Sequence, residues 1–358
     1  MQKLSKYIDF RTEFIQCLDM NKIKNNSYIL SDYYGFDNEK LYTDVGFIGN
    51  ENADRIIVVV SGTHGVEGYC GSMCQSHFLK KLSEFAINKN IGVLLIHGLN
   101  PYGFSWNSRT DHNNIDVNRN FVDFEDHKDV NVLYRELHDL IFSSNVQFEK
   151  YKIRENLGFF VAKYGKDQLV KTIYSGQYSC ESGIFFGGKN ESWSRLTIQD
   201  IYDKYCGNKK LIVVYDIHTG LGDYGQLSPI YTFSNYVESL NIAETIFEDR
   251  MIKWKNGDKN FSSFEGKMMA GLSKAYPKFK LVNITLEFGT YAKERMLEAI
   301  IIDGYLRQKG VHDLSEHDID YLTYVQGSFF PHDLGWQQNI LTQFMSVMYK
   351  TIDFLCKI

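Results

Sequence analysis

Three potential metal ligands follow two apolar segments of the chain. The run IIVVV leads into SGTHGVEG, in which His64 and Glu67 stand three residues apart among glycines. A turn that needed only flexibility would use neither an imidazole nor a carboxylate. A second apolar run leads into DIHTG, which supplies His218. Two histidines and a glutamate, with a fourth position left for water, are a ligand set of catalytic zinc. These residues therefore predict one Zn²⁺ ion, while nitrogen and oxygen ligands also suit other divalent transition metals.

Two carboxylates are candidates for supporting roles beside such an ion. A bound zinc ion polarises a carbonyl and lowers the pKa of a water molecule to near neutrality. A separate carboxylate must then accept the water proton and pass it to the leaving group, and Glu287 in LEFGTY is the candidate for this general base. Asp216 stands two residues before His218 on the same strand face, where it could accept the second imidazole N–H and set the tautomer.

Two arginines occur in the long polar segment HGLNPYGFSWNSRTDHNNIDVNRNF. The guanidinium of Arg119 could hold a substrate carboxylate through two parallel hydrogen bonds, with Asn118 beside it. Arg109 could stabilise the oxyanion that forms when a carbonyl is attacked. Together with the metal ligands, these residues predict hydrolysis of an amide in a substrate that bears a free carboxylate.

Each of these residues also has a purely structural interpretation. A single H-x-x-E spacing arises by chance, His218 could be a hydrogen-bonded structural histidine, and NRNF could be a turn with Arg119 in a surface ion pair. The glycines of SGTHGVEG could serve only a tight turn between a strand and a helix. They form neither a phosphate-binding loop nor G-x-G-x-x-G, so a nucleotide site is excluded. The functional interpretation is favoured because polar residues recur after four separate apolar segments.

Elements of regular structure must bring these residues together. Four apolar, β-branched segments predict strands, and their lack of strict alternation is typical of strands that helices cover on both faces. The predicted strands are Arg55–Val60, Ile91–His97, 211–217 and 281–286, and the predicted helices include 71–85, 130–142 and 336–356. Ligands of open α/β sheets bind outside the carboxyl ends of the strands, so the loops after these four strands can meet in one cleft.

The length and composition favour one α/β domain. The chain has 358 residues, of which 44% are hydrophobic, and this is enough for a large core. No linker or repeat marks a boundary, so we expect a single domain over residues 1–358 with a mostly parallel or mixed sheet. Residues 148–209 are less periodic and predict an inserted loop or hairpin around SGQYSCESGIFFGGKNESWS. Loops of this length are often part of a binding site.

Charge and hydropathy exclude several classes of partner. With 39 Lys and Arg against 44 Asp and Glu, the net charge of -5 gives a nucleic-acid partner no electrostatic support. No segment approaches the roughly 20 apolar residues that cross a bilayer, and the charged N-terminus lacks the apolar core of a secretory signal. We therefore expect a cytoplasmic protein without a membrane partner. The absence of a G-x-S-x-G elbow argues against a serine hydrolase.

The ordered set of motifs THGVE, NPYG, DVNRNF, DIHTG and LEFGT resembles the zinc carboxypeptidase superfamily, which also contains succinylglutamate desuccinylases and aspartoacylases. The set is most similar to a mainly bacterial, carboxypeptidase-like branch of unknown function, and it spans residues 61–291. The resemblance implies a mixed, eight-stranded sheet between helices. It also implies a role for each matching residue: His64, Glu67 and His218 bind zinc, Glu287 is the general base, Asn118 and Arg119 hold a substrate carboxylate, and Arg109 lies near the oxyanion.

Two departures from the digestive carboxypeptidases concern the substrate side of the site. The segment between NPYG and DVNRN is short, which weakens the match at Arg109. No motif identifies the tyrosine that covers the substrate in those enzymes. We take Tyr291 as the substrate-binding candidate, with Tyr224 and Tyr231 as alternatives.

The sequence thus predicts a zinc-dependent hydrolase that cleaves an amide bond in a peptide or related substrate with a free carboxylate. A deacylase of N-acyl amino acids, as in the aspartoacylase branch, would use the same metal and the same Arg119. A non-catalytic binding module with a carboxypeptidase-like fold is the third interpretation. Such modules usually lose a ligand or the catalytic carboxylate, and here all four positions are filled.

Overall fold

A computed structural model describes residues 4–127, 129, 131–142, 150–207, 209–232, 234–248, 251–253, 265–310 and 314–358. Within these residues the strands are β1 (Asn25–Tyr34), β2 (Lys40–Gly49), β3 (Arg55–Val60), β4 (Ile91–His97), β5 (Leu211–Gly220), β6 (Leu227–Thr232), β7 (Ile252–Lys253) and β8 (Leu281–Gly289). The helices are α1 (Tyr7–Met20), α2 (Gly68–Lys80), α3 (Pro101–Ser105), α4 (Tyr134–Phe142), α5 (Lys150–Tyr164), α6 (Lys166–Tyr174), α7 (Trp193–Cys206), α8 (Ser239–Phe247), α9 (Met268–Ala275), α10 (Lys293–Lys309), α11 (Glu316–Phe329) and α12 (Leu334–Lys357).

The strands form one mixed sheet of eight strands in the order β1-β2-β4-β3-β5-β8-β6-β7. The four predicted strands are its central neighbours β4, β3, β5 and β8, and each adjacent pair among them is parallel. Antiparallel pairs join this centre to β2 on one side and to β6 on the other. The predicted α/β fold with a mixed, eight-stranded sheet between helices is confirmed. Because the central strands are parallel, the loops at their carboxyl ends lie at the same edge of the sheet.

The sheet is buried on both faces, as the uninterrupted apolar runs predict. In β3, Ile57 and Val59 face a core shared with α1, α2 and α12, while Ile56 and Val58 face a core shared with α7 and α9. All four side chains are fully buried. Full burial of an aliphatic side chain contributes about 1.5–3 kcal/mol, so the central strands form a rigid base for the loops that follow them.

The turn between β3 and α2 needs its glycines for close approach of backbones. Gly62 has a φ of +70°, in the left-handed region that favours glycine. A β-carbon at Gly65 would overlap the backbone of Gly103, so only glycine lets this turn pack against α3. The Val66 N–H donates to the Ser108 carbonyl at 2.9 Å, which ties the turn to the segment that carries Arg109.

The predicted helix bounds and the predicted insert require corrections. The first predicted helix, 71–85, begins earlier and ends earlier as α2, and the second begins at Tyr134, with residue 130 outside the described residues. Residues 148, 149 and 208 of the predicted insert also lie outside them. The rest of 148–209 forms α5, α6 and α7, and only 175–192 is a loop. Helix α7 begins where the Ser192 side chain accepts the Arg195 N–H at 3.1 Å, and it buries Ile198, Ile201 and Tyr202 at helical spacing.

Among the described residues, no helix combines the length and the apolar character that crossing a membrane requires. The cytoplasmic location stays a prediction.

Candidate active site

The three predicted metal ligands meet in one buried cluster. His64 precedes a single tight helical turn (Gly65–Glu67) that ends in Glu67, and His218 lies near the end of β5. Nδ1 of His64 lies 2.9 Å from Oε1 of Glu67 and 3.1 Å from Nδ1 of His218, and the latter lies 3.0 Å from Oε2 of Glu67. One ligand atom from each residue lies within 4.8 Å of the others. This group could hold a metal ion.

Nε2 of each imidazole, the nitrogen farther from Glu67, faces a carboxylate. A histidine that binds a metal usually contacts a carboxylate through its other nitrogen in this way. Nε2 of His218 lies 2.6 Å from Oδ2 of Asp216, and Nε2 of His64 lies 3.4 Å from Oδ1 of Asp116. We therefore assign the imidazole proton of His218 to Nε2, which leaves its Nδ1 lone pair directed toward His64 and Glu67. Zinc bonds to nitrogen and oxygen at about 2.0–2.2 Å, so tetrahedral ligand atoms lie about 3.3–3.6 Å apart. The donor types fit such an ion, and the ligand atoms, now 2.9–3.1 Å apart, would have to separate by a few tenths of an ångström to bind it.

Glu67 is held in its ionised form. Burial raises the pKa of this carboxyl, but the adjacent His64 and His218 imidazoles outweigh burial and lower it well below its ordinary range. The backbone N–H of Thr219 also donates to Oε2 of Glu67 at 3.0 Å. A carboxylate fixed by these contacts is a suitable anionic ligand for a divalent ion.

Asp116 belongs to the site but is absent from the predicted site residues. Its side chain is fully buried and accepts a hydrogen bond from Nε of Arg109 at 2.8 Å, while its other oxygen faces His64. It also accepts the Asn118 N–H at 2.9 Å, which begins the short helical turn that carries Arg119. The signal in the sequence was its place in DVNRNF, immediately before two predicted residues. Asp216 contacts Nε2 of His218 as Asp116 contacts Nε2 of His64, and this contact of Asp216 was predicted. Asp216 also accepts a hydrogen bond from Thr63 at 2.7 Å.

Glu287 lies beside the metal group because of strand register. β5 and β8 pair in parallel with His218 opposite Glu287. Its Oε1 accepts the backbone N–H of Leu221 at 2.9 Å, and the side chain is only 7% exposed. Burial and the negative charge of Glu67 raise the pKa of Glu287 to about 7. A carboxyl with this pKa can both accept and donate a proton near neutrality.

Arg109 adjoins the metal group on the side opposite His218. Its Nη2 lies 2.7 Å from Nε2 of His64, and its Nη1 lies 3.5 Å from Oε1 of Glu67. The backbone N–H of Arg109 donates to Oδ2 of Asp303 in α10 at 2.8 Å. Asp116 thus fixes the guanidinium of Arg109, and Asp303 fixes its backbone. Both contacts hold Arg109 next to the predicted reaction centre.

Asn118 and Arg119 form a wall of the cavity that adjoins the metal group. Arg119 is only 4% exposed and donates through Nη1 to the Asn118 carbonyl and through Nη2 to the Tyr174 carbonyl, both at 2.8 Å. The Asn118 side chain accepts the Met268 N–H at 2.9 Å. Asn118 therefore anchors the start of α9. Arg119 places a buried positive charge in the cavity wall, and two backbone carbonyls fix the orientation of its guanidinium.

The cavity has a volume of about 780 Å³ and extends from the metal group between α6, α9 and α10. This volume suits a small-molecule or peptide ligand. Tyr231 and Tyr174 are the tyrosines among its described lining residues. Tyr291, the predicted substrate-binding tyrosine, is not among these lining residues, and its ring lies 3.6 Å from the Arg295 guanidinium. Its role in substrate binding stays a prediction.

Phe185 is a second site residue that sequence reasoning missed. It lies in the loop 175–192 with a φ of +54°, which is rare for a bulky residue and costs conformational energy. Its buried ring lies 4.7 Å from the Arg109 guanidinium and 5.3 Å from that of Arg119. The aromatic pair in GIFFGG gave no indication that one ring contacts both arginines.

The fold and the site define an α/β protein with a buried His-Glu-His group at the carboxyl edge of its sheet. A family model described as protein of unknown function (DUF2817) matches residues 4–343, and the chain belongs to this family. No curated protein matches the sequence.

Several solved structures are similar to the chain. Bovine thrombin-activatable fibrinolysis inhibitor, solved with tick carboxypeptidase inhibitor, is 10% identical, with a TM-score of 0.49 over 99% of this chain and 98% of that one. A metallo-carboxypeptidase from Burkholderia cenocepacia is 9% identical, with a TM-score of 0.45 over 96% and 68%. A protein assigned to the succinylglutamate desuccinylase/aspartoacylase family from Shewanella amazonensis is 15% identical, with a TM-score of 0.37 over 80% and 73%.

Proposed function

We propose that this protein is a zinc-dependent hydrolase that cleaves the amide bond next to a free carboxylate, as a carboxypeptidase does. The observation that carries this proposal is the buried group of His64, Glu67 and His218, whose ligand atoms lie within 4.8 Å of one another. Glu287 stands opposite His218 on the neighbouring strand. These side chains also line a cavity that could hold a ligand, which favours a functional site over a purely structural cluster.

The protein side chains supply proton transfer and charge stabilisation. His64, Glu67 and His218 would hold the zinc ion, which when bound polarises the scissile carbonyl and activates water. Glu287 accepts the proton of the attacking water and passes it to the leaving amine, a role for which a pKa of about 7 is suited. Arg109 directs N–H groups toward the carbonyl oxygen as negative charge develops on it.

Recognition of the carboxylate falls to Arg119. Its guanidinium is buried in the cavity wall, where a charge-assisted hydrogen bond is stronger than in water. Two backbone carbonyls hold its Nη atoms, so little side-chain entropy is lost when a ligand binds. The Phe185 ring beneath both guanidiniums keeps their planes in place.

The test combines metal analysis with one isosteric substitution. Protein purified without added metal is expected to contain one zinc ion per chain by elemental analysis, and His218→Ala is expected to lose it. Glu287→Gln should keep the metal and lose about 10²–10⁴-fold in turnover of a peptide with a free C-terminus. Glu125→Gln, at an exposed carboxylate away from the cavity, is the control and should match the wild type. Wild-type protein that cannot retain zinc would refute the proposal.

The second candidate is deacylation of N-acyl amino acids. Deacylation remains a candidate because Arg119 would hold the carboxylate of either substrate in the same cavity. A panel of free and C-terminally blocked peptides beside N-acyl amino acids distinguishes the two. Turnover of free peptides alone supports the peptidase, and turnover confined to N-acyl amino acids supports the deacylase. Zinc binding without turnover of any member would favour a binding module.

A further inference from the structure

The cavity becomes strongly cationic away from the metal group. Three stretches of chain contribute four lysines to its lining: Lys166 begins α6, Lys267 and Lys274 lie just before and within α9, and Lys293 begins α10. The described carboxylates of the lining are Glu67, Glu287, Asp216 behind His218, and Glu294, so Glu294 is the one away from the metal group. The whole chain carries a net charge of -5, so this concentration of positive charge is a local property of the cavity.

Lys267 is the innermost of these lysines because its backbone is docked against the Arg119 segment. The carbonyl before it, at Gly266, accepts the Phe121 N–H at 3.1 Å, and the N–H after it, at Met268, donates to the Asn118 side chain at 2.9 Å. Gly266 has a φ of +72°, and a β-carbon there would overlap the backbone of Arg119. Glycine at this position thus permits the approach that sets Lys267 beside Arg119.

The two cations influence each other. Burial and the positive charge of Arg119 lower the pKa of Lys267 to about 8. Placing like charges together in a partly buried site is unfavourable, and an arriving anion reduces this repulsion. In the proposed reaction Arg119 binds one carboxylate of the substrate. A second negative group on the same substrate would interact favourably with Lys267.

We propose, resting on the function proposed above, that the substrate is an acidic peptide, in which Lys267 binds the acidic side chain of the C-terminal residue while Arg119 binds its α-carboxylate. The rim lysines then attract acidic residues earlier in the peptide. Lys166, Lys274 and Lys293 are exposed, and none of the described carboxylates forms an ion pair with them. Exposed charges act over about 8–10 Å at physiological salt, so they steer the substrate, while the more buried Lys267 provides the selectivity.

The experiment measures binding separately from turnover. Zinc-loaded Glu287→Gln protein is titrated by calorimetry with N-acetylated tetrapeptides that end in Glu-Glu or in Gln-Gln. We expect the Glu-Glu peptide to bind about tenfold more tightly or better, since a charge-assisted hydrogen bond exceeds a neutral one by this order. Lys267→Met in the same background should reduce the preference to the smaller contribution of the rim lysines, and Lys267→Arg should keep it. Lys278→Met, at an exposed lysine outside the lining, is the matched control and should also keep it.

The outcomes separate this inference from the proposed function. Equal affinity for the two peptides overturns it, even where the wild type hydrolyses both. A preference that Lys267→Met leaves unchanged overturns the assignment to Lys267. Tighter binding of the Glu-Glu peptide that depends on Lys267, in a protein whose wild type hydrolyses no peptide, supports an acidic ligand and refutes the peptidase. Raising the salt concentration should weaken binding of the Glu-Glu peptide more than that of the Gln-Gln peptide.

Discussion

His218 and Glu287 lie directly opposite each other in the parallel pairing of β5 and β8. The pairing places a metal-ligand candidate and the proposed general base side by side at the edge where both strands end. Backbone hydrogen bonds between β5, which is buried throughout, and β8, which is buried except at the half-buried Thr285, maintain this relationship. The reaction centre is therefore as rigid as the sheet.

Asp216→Asn should weaken zinc binding. Asp216 accepts from His218 at 2.6 Å and from Thr63 at 2.7 Å, and an amide at this position no longer provides an anionic acceptor for the imidazole N–H. We expect about a 10–100-fold loss of zinc affinity, the usual effect of losing such a partner. Competition with a chelator of known affinity measures it. Asp200→Asn, at an exposed carboxylate that accepts from Tyr28, is the control. Unchanged affinity in Asp216→Asn would show that His218 does not need this carboxylate.

Phe185→Leu should raise KM more than it lowers kcat. The ring contacts both guanidiniums, and each cation–π contact is worth about 0.5–2 kcal/mol. Loss of both contacts should raise KM at least about fivefold, while Phe185→Tyr should stay close to the wild type. Steady-state kinetics on one peptide gives both constants. Phe159→Leu, at a ring that is 60% exposed, controls for loss of an aromatic side chain. A KM that does not respond would leave Phe185 with a packing role only.

Two glycine substitutions should have opposite effects. Gly65→Ala would force the turn between β3 and α2 away from Gly103 and should lower the free energy of unfolding by about 3 kcal/mol, with loss of zinc. Gly158→Ala lies in α5, where an added β-carbon meets nothing within 4 Å, and should stabilise the protein by about 0.5–1 kcal/mol. Denaturant unfolding and zinc content are the measurements. Full zinc occupancy and normal stability in Gly65→Ala would contradict the close packing of this turn.

His97 should make the protein less stable in acid. The imidazole is fully buried against Phe14 at 4.4 Å, and burial lowers its pKa from 6.5 to about 4. The unfolded chain therefore binds this proton more readily. The contribution of His97 is complete above pH 6.5 and is lost as the pH falls toward 4, by about 3 kcal/mol in all.

His97→Asn removes this contribution. The difference in unfolding free energy between wild type and variant should shrink by about 3 kcal/mol from pH 7 to pH 4, measured by urea unfolding at each pH. His317→Asn, at an exposed histidine, controls for the loss of a surface imidazole. A constant difference across this range would show that His97 is not the group responsible.

The central strands and the metal ligands could be predicted from local patterns. Runs such as IIVVV are apolar on both faces, so they predict strands covered by helices, and His64, His218 and Glu287 each stand at or shortly after the end of such a run. The insert was harder to interpret because α5 has weak periodicity and the loop of the insert lies between helices. No sequence motif distinguishes Tyr291 from Tyr224 and Tyr231 as the substrate-covering residue, and in the structure the Tyr291 ring lies on Arg295.

The sequence by itself determined the order of the strands along the chain and the residues able to bind a metal, since both follow from spacing and side-chain type. Only the tertiary structure decided which distant groups became neighbours. Asp116 behind His64, Phe185 beneath two arginines and Lys267 beside Arg119 are contacts between segments far apart or in irregular loops. No periodicity records such contacts, because they depend on how helices and loops pack at the edge of the finished sheet.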